Sequence, residues 1–365
     1  MSEQAAAGEN KQEKPVDLVF QGGGIKGIGL VGAYSVLEER GYQPVNMAGA
    51  SAGAIVAALV AAGYSAEELY SVMKDLPLKK FKDKAWEDRF FQFVSVPLSI
   101  FKDKGIYEGS EFYDWIKKAL HKKLQEKDLQ GEELTFGDLR RNDVPEDAPP
   151  VYRYKLQVIV SDTTEKRMVV LPRDADYLGI ENPDDLSVAR AVRMSMSIPV
   201  YFEPVRHQNP ETGREHLIVD GGMLSNFPVW LFDVGENLVE QEAKRPTFGL
   251  KLIEKDPRKP IVEPGFASDV PEVEVPEHPE RIKTIGYLWS LVSTMMEAHD
   301  RLYIEEKKFE TTIGIDTLGV RTTEFTLSGE RKDELYESGR KEAKKFLDKV
   351  ESGTSPAETP SASSS

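Results

Sequence analysis

The sequence predicts a single three-layer α/β domain, and three observations carry that expectation. Val16-Asp17-Leu18-Val19-Phe20 is a short apolar run that passes directly into a glycine loop and then a helical stretch. A second run, Val45 to Ala48, ends in Gly49-Ala50-Ser51-Ala52-Gly53 and leads into an uncharged helix-forming stretch. A later strand-like run, His216 to Val219, ends in Asp220-Gly221-Gly222. Strands alternating with helices, with glycines and polar groups gathered at strand ends, describe a sheet covered on both faces.

Composition sets the bounds. A chain of 365 residues can bury a substantial core, and its 40% hydrophobic and 30% charged residues are those of a soluble globular protein. A net charge of −15 leaves no basic stripe to neutralise phosphates, which argues against a nucleic-acid partner. It also opposes tight docking to anionic membrane, although local Lys clusters leave peripheral membrane contact open. The absence of cysteine excludes disulfides, thiol catalysis and Cys-ligated zinc. Met1 to Lys14 is polar and has no apolar core, so no secretory signal is expected, and a cytoplasmic location is the simplest reading. The uncharged run Asn46 to Tyr64 is long enough to suggest a transmembrane helix, but its glycines, serine and strand-turn-helix rhythm favour a buried elbow.

After a head, residues 1–15, expected to be disordered, Val16 to Phe20 reads as a buried strand. Gln21 to Gly27 forms the glycine loop, and a helix from Ile28 to Arg40 is stopped by Gly41. The strand Val45 to Ala48 turns at Ser51 into a narrow helix ending at Gly63. Ser65 to Leu76 is an amphipathic helix, followed by a Lys- and aromatic-rich stretch, Lys79 to Trp86. Phe90 to Phe101 is apolar, broken by Pro97, and too short to span a bilayer. It is either ordinary core, or the lining of an acyl-chain channel or an interfacial lid.

Tyr113 to Leu124 is helical with lysines on its wetted side, and Asn142 to Pro150 is a polar loop at a seam in the fold. Tyr154 to Asp162 and Arg167 to Leu171 form a hairpin turning at Thr163 to Lys166. Ser187 caps a short helix to Met196, and Tyr201 to Val205 returns as strand. Asn209 to Gly213 turns the chain into His216 to Val219, and Pro246 to Lys251 is a further strand. Lys255 to Glu280, with six prolines, is a long excursion. Ile282 to Phe309 is a long helix whose broad apolar face is core or the border of a lipid pocket. A strand pair within 311–326 and an amphipathic helix from Ser328 to Val350 close a domain spanning 16–350. The Ser/Pro/Ala/Thr tail, 351–365, is expected to be disordered.

Ser51 lies at the centre of G-x-S-x-G, the pattern of a nucleophile elbow, in which a sharp strand-to-helix turn requires tiny residues at Gly49 and Gly53. At a helix N-terminus, free N–H groups and the dipole favour developing negative charge. The pentapeptide alone also arises in Ala/Gly-rich buried helices, so context decides. Gly22-Gly23-Gly24-Ile25-Lys26-Gly27 is formally the dinucleotide fingerprint G-x-G-x-x-G. A ribose-binding acid would then end the next strand. That strand ends instead in the elbow, which sets a nest of N–H groups beside a nucleophile.

Acyl transfer also needs a base. The five histidines, His121, His207, His216, His278 and His299, lie outside the strand-end loops that a triad demands. Asp220, ahead of Gly221 and Gly222, stands at a strand end, although Asp-Gly is also a common turn former. An ordinary Asp, with pKa about 3.9, is a poor base for serine, so an enclosed site that raises its basicity is expected.

These three motifs, in this order, closely resemble the patatin-like phospholipases. Val160-Ser161-Asp162 and Ala191 to Pro199 leading into Phe202-Glu203-Pro204-Val205 extend the resemblance, which covers Val16 to Asn226. It implies a three-layer α/β/α fold with a central mixed sheet and a Ser51–Asp220 dyad at the strand ends. Ser51 would be the nucleophile, Asp220 the general base, and the backbone N–H groups of the Gly22–Gly27 loop the oxyanion hole, with Lys26 at the family's basic position. Gln21 stands where the family often has an acid, a departure of little weight because backbone donors do not depend on it. The resemblance implies a lipid ester substrate and neither cofactor nor metal. Two other readings remain: a nucleotide-binding protein, and a catalytically silent or activator-dependent lipid-binding module on the same scaffold.

Overall fold

The computed structural model describes residues 13–76, 109–127, 129, 131–199, 202–232, 245–253, 294–295, 311–320 and 327–353. Their strands are β1 (Lys14–Phe20), β2 (Tyr42–Ala50), β3 (Leu156–Asp162), β4 (Arg167–Leu171), β5 (Val205–Gln208), β6 (Glu215–Asp220), β7 (Thr247–Ile253) and β8 (Thr312–Asp316). The helices are α1 (Gly27–Glu39), α2 (Ala52–Ala62), α3 (Ala66–Lys74), α4 (Ser110–Glu126), α5 (Val188–Ser195) and α6 (Gly329–Glu351). The strands form one mixed sheet in the order β5–β6–β3–β2–β1–β7–β8, with β4 also paired to β3.

Alternation along the strands divides the core into two layers, because successive side chains point to opposite faces. Leu18, Phe20, Met47, Val158 and Val160 join one large cluster with residues of all six helices. Val19, Ala48, Ala50, Ile159 and Val170 face the other way, against Tyr152, Phe227, Val229 and Phe232. Those partners come from the short 3-10 helices Pro150–Tyr152 and Val229–Phe232 and the chain before the latter. The central strands are therefore apolar on both sides, as parallel strands covered twice must be.

β3 organises the functional end of the sheet. β4 runs antiparallel along one of its edges, from Val158 to Asp162. The other edge is shared: parallel β2 holds Leu156 to Ile159, with Ala50 opposite Ile159. Antiparallel β6 then takes Val160 to Asp162, with Asp220 opposite Val160. The C-terminal ends of β2 and β6 consequently meet head to head.

Several boundaries depart from the sequence expectation, each for a pairing reason. β1 starts at Lys14, inside the stretch expected to be a disordered head, because Lys14 and Pro15 pair with Tyr42 and Gln43. β2 is longer than Val45–Ala48 and includes Pro44, which lies before β3 joins at Met47, so no ladder donor is needed on that edge. β5 begins at Val205, where the expected strand ends, since only Val205 to Gln208 reach β6. Phe202 instead folds back, its N–H donating to Ile198 O at 2.8 Å. β8 is not one arm of a described hairpin; it extends the sheet parallel to β7. The α6 helix continues to Glu351, one residue past the expected domain end. The readings placed on Lys79 to Phe101, on Lys255 to Glu280, on nearly all of Ile282 to Phe309 and on residues 321–326 lie outside the described residues.

Candidate active site

Ser51 joins β2 to α2 with φ 52° and ψ −130°, a left-handed conformation that is costly for a residue with a Cβ. Its neighbours show why the turn needs glycines. A Cβ at Gly49 would lie 2.5 Å from the Gly53 carbonyl, and one at Gly53 would lie 2.1 Å from Phe20 O. The strained residue is held from outside: its N–H donates to Ser195 Oγ at 2.9 Å, and that hydroxyl donates to Ile159 O at 2.7 Å. Ser195 closes α5, so a buried helix end pins the elbow to β3.

The same segment holds the acid. The Asp220 N–H donates to Ser197 O at 2.9 Å, which places the carboxyl at the junction where β6 succeeds β2. Ser51 is 1% exposed and Asp220 0%. Gly222 N–H donates to Asp220 Oδ1 at 2.7 Å, and Oδ2 has no hydrogen-bond partner among the described residues. Burial pushes the Asp220 carboxyl up to about 7, against the opposing pull of the Ser51 hydroxyl and the Gly222 N–H. The hydroxyl is near enough to act on the carboxyl, yet its contact at rest is with Met196 Sδ, at 3.7 Å.

The glycine loop borders the elbow. A Cβ on Gly22 would sit 3.0 Å from Ser51 Cβ, and one on Gly27 would sit 3.5 Å from Ala52 Cβ. The N–H groups of the loop Gly22 to Gly27 are not equivalent. Gly22 N–H donates to Asn226 O at 2.9 Å, Lys26 N–H to Gly23 O at 3.3 Å, and Gly27 N–H to Gly24 O and Ile25 O. Those three are spent within the fold because the loop tightens into a 3-10 turn before α1. The N–H groups of Gly23, Gly24 and Ile25 meet no acceptor among the described residues. Gly24, at φ 58°, supplies the left-handed bend that turns them out of the ladder. Gln21, the departure from the family pattern, accepts from Leu252 N–H at 2.7 Å and so ties the loop to β7.

Residues 18–233 match the patatin-like phospholipase family. The chain belongs to that family. It is 35% identical to the uncharacterized protein YqhO of Bacillus subtilis (strain 168), over 91% of this chain and 98% of YqhO. The uncharacterized protein R571 of Acanthamoeba polyphaga mimivirus is 24% identical, over 60% of this chain and 61% of R571. Among solved structures, VipD from Legionella pneumophila is 22% identical with a TM-score of 0.49, covering 92% of this chain and 67% of VipD. ExoU of Pseudomonas aeruginosa, in complex with SpcU, is 18% identical with a TM-score of 0.45, over 92% of this chain and 52% of that one.

As a patatin-like phospholipase by family, the chain is a hydrolase of lipase type. Two of the described histidines, His216 and His207, are held by other groups. His216 Nδ1 lies 2.6 Å from Asp162 Oδ2, which also accepts from Tyr177 at 2.8 Å. Burial raises the Asp162 carboxyl, but these hydrogen bonds outweigh it and hold the group below the usual range. That cluster therefore fastens β3 to β6 and the Tyr177 turn. His207 Nε2 sits 2.9 Å from Leu178 O, while His278 and His299 lie outside the described residues. Among the described residues no His, Cys, Asp or Glu cluster could hold a metal ion. No helix of the described residues is long and apolar enough to cross a membrane. Sequence reasoning missed Ser195, Met196 and Asn226. Ser195 and Met196 lie inside the Ala191–Pro199 motif, whose role as a clamp is invisible without the fold.

Proposed function

We propose that the protein is a serine acyl hydrolase cleaving fatty-acyl ester bonds of phospholipids or related lipids. Ser51 Oγ attacks the acyl carbonyl while its proton passes to the Asp220 carboxylate. The free N–H groups of Gly23, Gly24 and Ile25, with the N-terminus of α2, receive the charge on the carbonyl oxygen. Collapse expels the alcohol, which takes the proton from Asp220. A water then attacks the acyl-enzyme and gives its proton to Asp220, which passes it to Ser51 Oγ as the fatty acid leaves, restoring both residues. The observation that carries this reading is the meeting of Ser51 and a buried, basic Asp220 at the facing ends of β2 and β6. No cofactor enters any step, the partner is a lipid ester, and the protein meets the membrane surface peripherally.

Labelling with a fluorophosphonate and fatty-acid release from mixed phospholipids test the proposal. Wild type should be labelled and active; Ser51→Ala should lose both, and Asp220→Asn should fold yet lose turnover by a factor of about 10³ or more. Full activity in either variant rejects the dyad. The buried Ser51 hydroxyl resting on Met196 favours one second reading, a scaffold silent until an activator or lipid interface realigns it. In that case labelling of Ser51 would appear only when vesicles or a partner are added.

A further inference from the structure

Asn226 follows the Asp220-Gly221-Gly222 turn by four residues and is buried against the glycine loop. It grips Gly22 through both flanking peptide groups: its backbone O accepts the Gly22 N–H at 2.9 Å, and its Nδ2 donates to Gly22 O at 3.2 Å. Its Oδ1 is buried without a hydrogen-bond partner among the described residues and lies 2.1 Å from the point where a Gly22 Cβ would stand. Ser51 Cβ is 3.0 Å from that same point, so amide, loop and nucleophile share one small space. An orphaned acceptor is costly, and an apolar side chain of similar size would avoid the cost. The amide's other half, the Nδ2 donor, is what such a side chain cannot supply.

The residue is anchored on either side. Ser225 N–H donates to Gly221 O at 3.0 Å, and Ser225 Oγ accepts from Trp230 Nε1 at 3.1 Å. Phe227 fills the space over Gly249, where a Cβ would come within 2.4 Å of its ring. The Asp220 turn and the glycine loop are thus joined through a single residue, by its backbone and its side chain.

We propose that Asn226 is a positioning residue that locks the Gly22 peptide and so presents the free N–H groups of Gly23, Gly24 and Ile25 to the oxyanion. The idea rests on the acyl-hydrolase reading for its consequence, though the lock itself is independent of turnover. Asn226→Asp keeps the shape but replaces the donor with an oxygen facing Gly22 O; Asn226→Ala removes the side chain.

The test combines steady-state hydrolysis of p-nitrophenyl butyrate, fluorophosphonate titration of active sites, and hydrogen–deuterium exchange of the peptide covering residues 21–27. Both variants should lower kcat per titrated site about 10–100-fold with KM changed less than about threefold, since the loss falls on the transition state. The acid limb of the pH profile, set by Asp220, should stay in place, and exchange across residues 21–27 should quicken. A wild-type kcat per titrated site, or a loss explained wholly by fewer titratable sites, would overturn the proposal. If wild type neither labels nor turns over, the acyl-hydrolase reading fails by itself. Exchange then decides the lock: quicker exchange in the variants upholds it, and unchanged exchange removes it.

Discussion

Asp220 shows how far one side chain departs from its solution chemistry. An exposed aspartate is ionised and weakly basic at neutral pH. Here burial brings the carboxyl up to about 7, against the opposing pull of the Ser51 hydroxyl and the Gly222 N–H. The base must be ionised to act, so kcat/KM should rise with pH along a limb centred near 7; a limb near pH 4 would mean that water solvates the carboxyl. Stability runs the other way. The folded carboxyl holds its proton more tightly than the unfolded one, so its stabilisation is complete below about pH 4 and lost as pH rises through about 7. Asp220→Asn should therefore melt several degrees above wild type at pH 8, with the gain gone at pH 4, a difference of a few kcal/mol. Equal melting at both pH values would show that ionised Asp220 carries no burial cost. Sequence identified the residue through its place at a strand end. It left the size of the shift open, because desolvation depends on which strands enclose the group.

At the scale of elements, the elbow is a joint between β2 and α2 that relies on α5. Ser51 adopts its left-handed conformation because Ser195 and Ser197, at and just beyond the end of α5, receive the N–H groups of Ser51 and Asp220. Ser195→Ala would strand the Ser51 N–H in the interior and cost about 1–3 kcal/mol. The same change should lower turnover roughly tenfold or more by letting the nucleophile drift. Calorimetry and turnover per titrated site check this, and wild-type values in both would show that the elbow supports itself. The elements themselves were largely legible. The uncharged run before Gly63 reads as α2, and the amphipathic stretch from Ser65 reads as α3. The hairpin turning at Thr163 to Lys166 is β3 and β4. Less legible were the ends of β2 and β5, which are set by where a partner strand begins rather than by local preference.

For the whole molecule, charge governs the approach to substrate. A net charge of −15 repels anionic lipid surfaces, and salt screens that repulsion over about 10 Å at 0.1 M. Release of fatty acid from anionic vesicles should accordingly increase as salt is raised from 10 to about 150 mM, while release from zwitterionic vesicles changes little. A fall with salt on anionic vesicles would point instead to a local basic docking patch. The order of the motifs along the chain, the alternation of apolar residues and the small residues around Ser51 are local properties. By themselves they determined the α/β class, the elbow, the glycine loop and the candidate pair of Ser51 and Asp220. Three things were decided only in the folded chain: that β2 and β6 meet on one edge of β3, that Asn226 bonds the glycine loop and Ser195 the elbow, and that within this loop the N–H groups of Gly23, Gly24 and Ile25 meet no acceptor among the described residues. Each depends on contacts between residues far apart in sequence, and hydrogen bonding and desolvation are settled by what surrounds a group in space rather than by its neighbours along the chain.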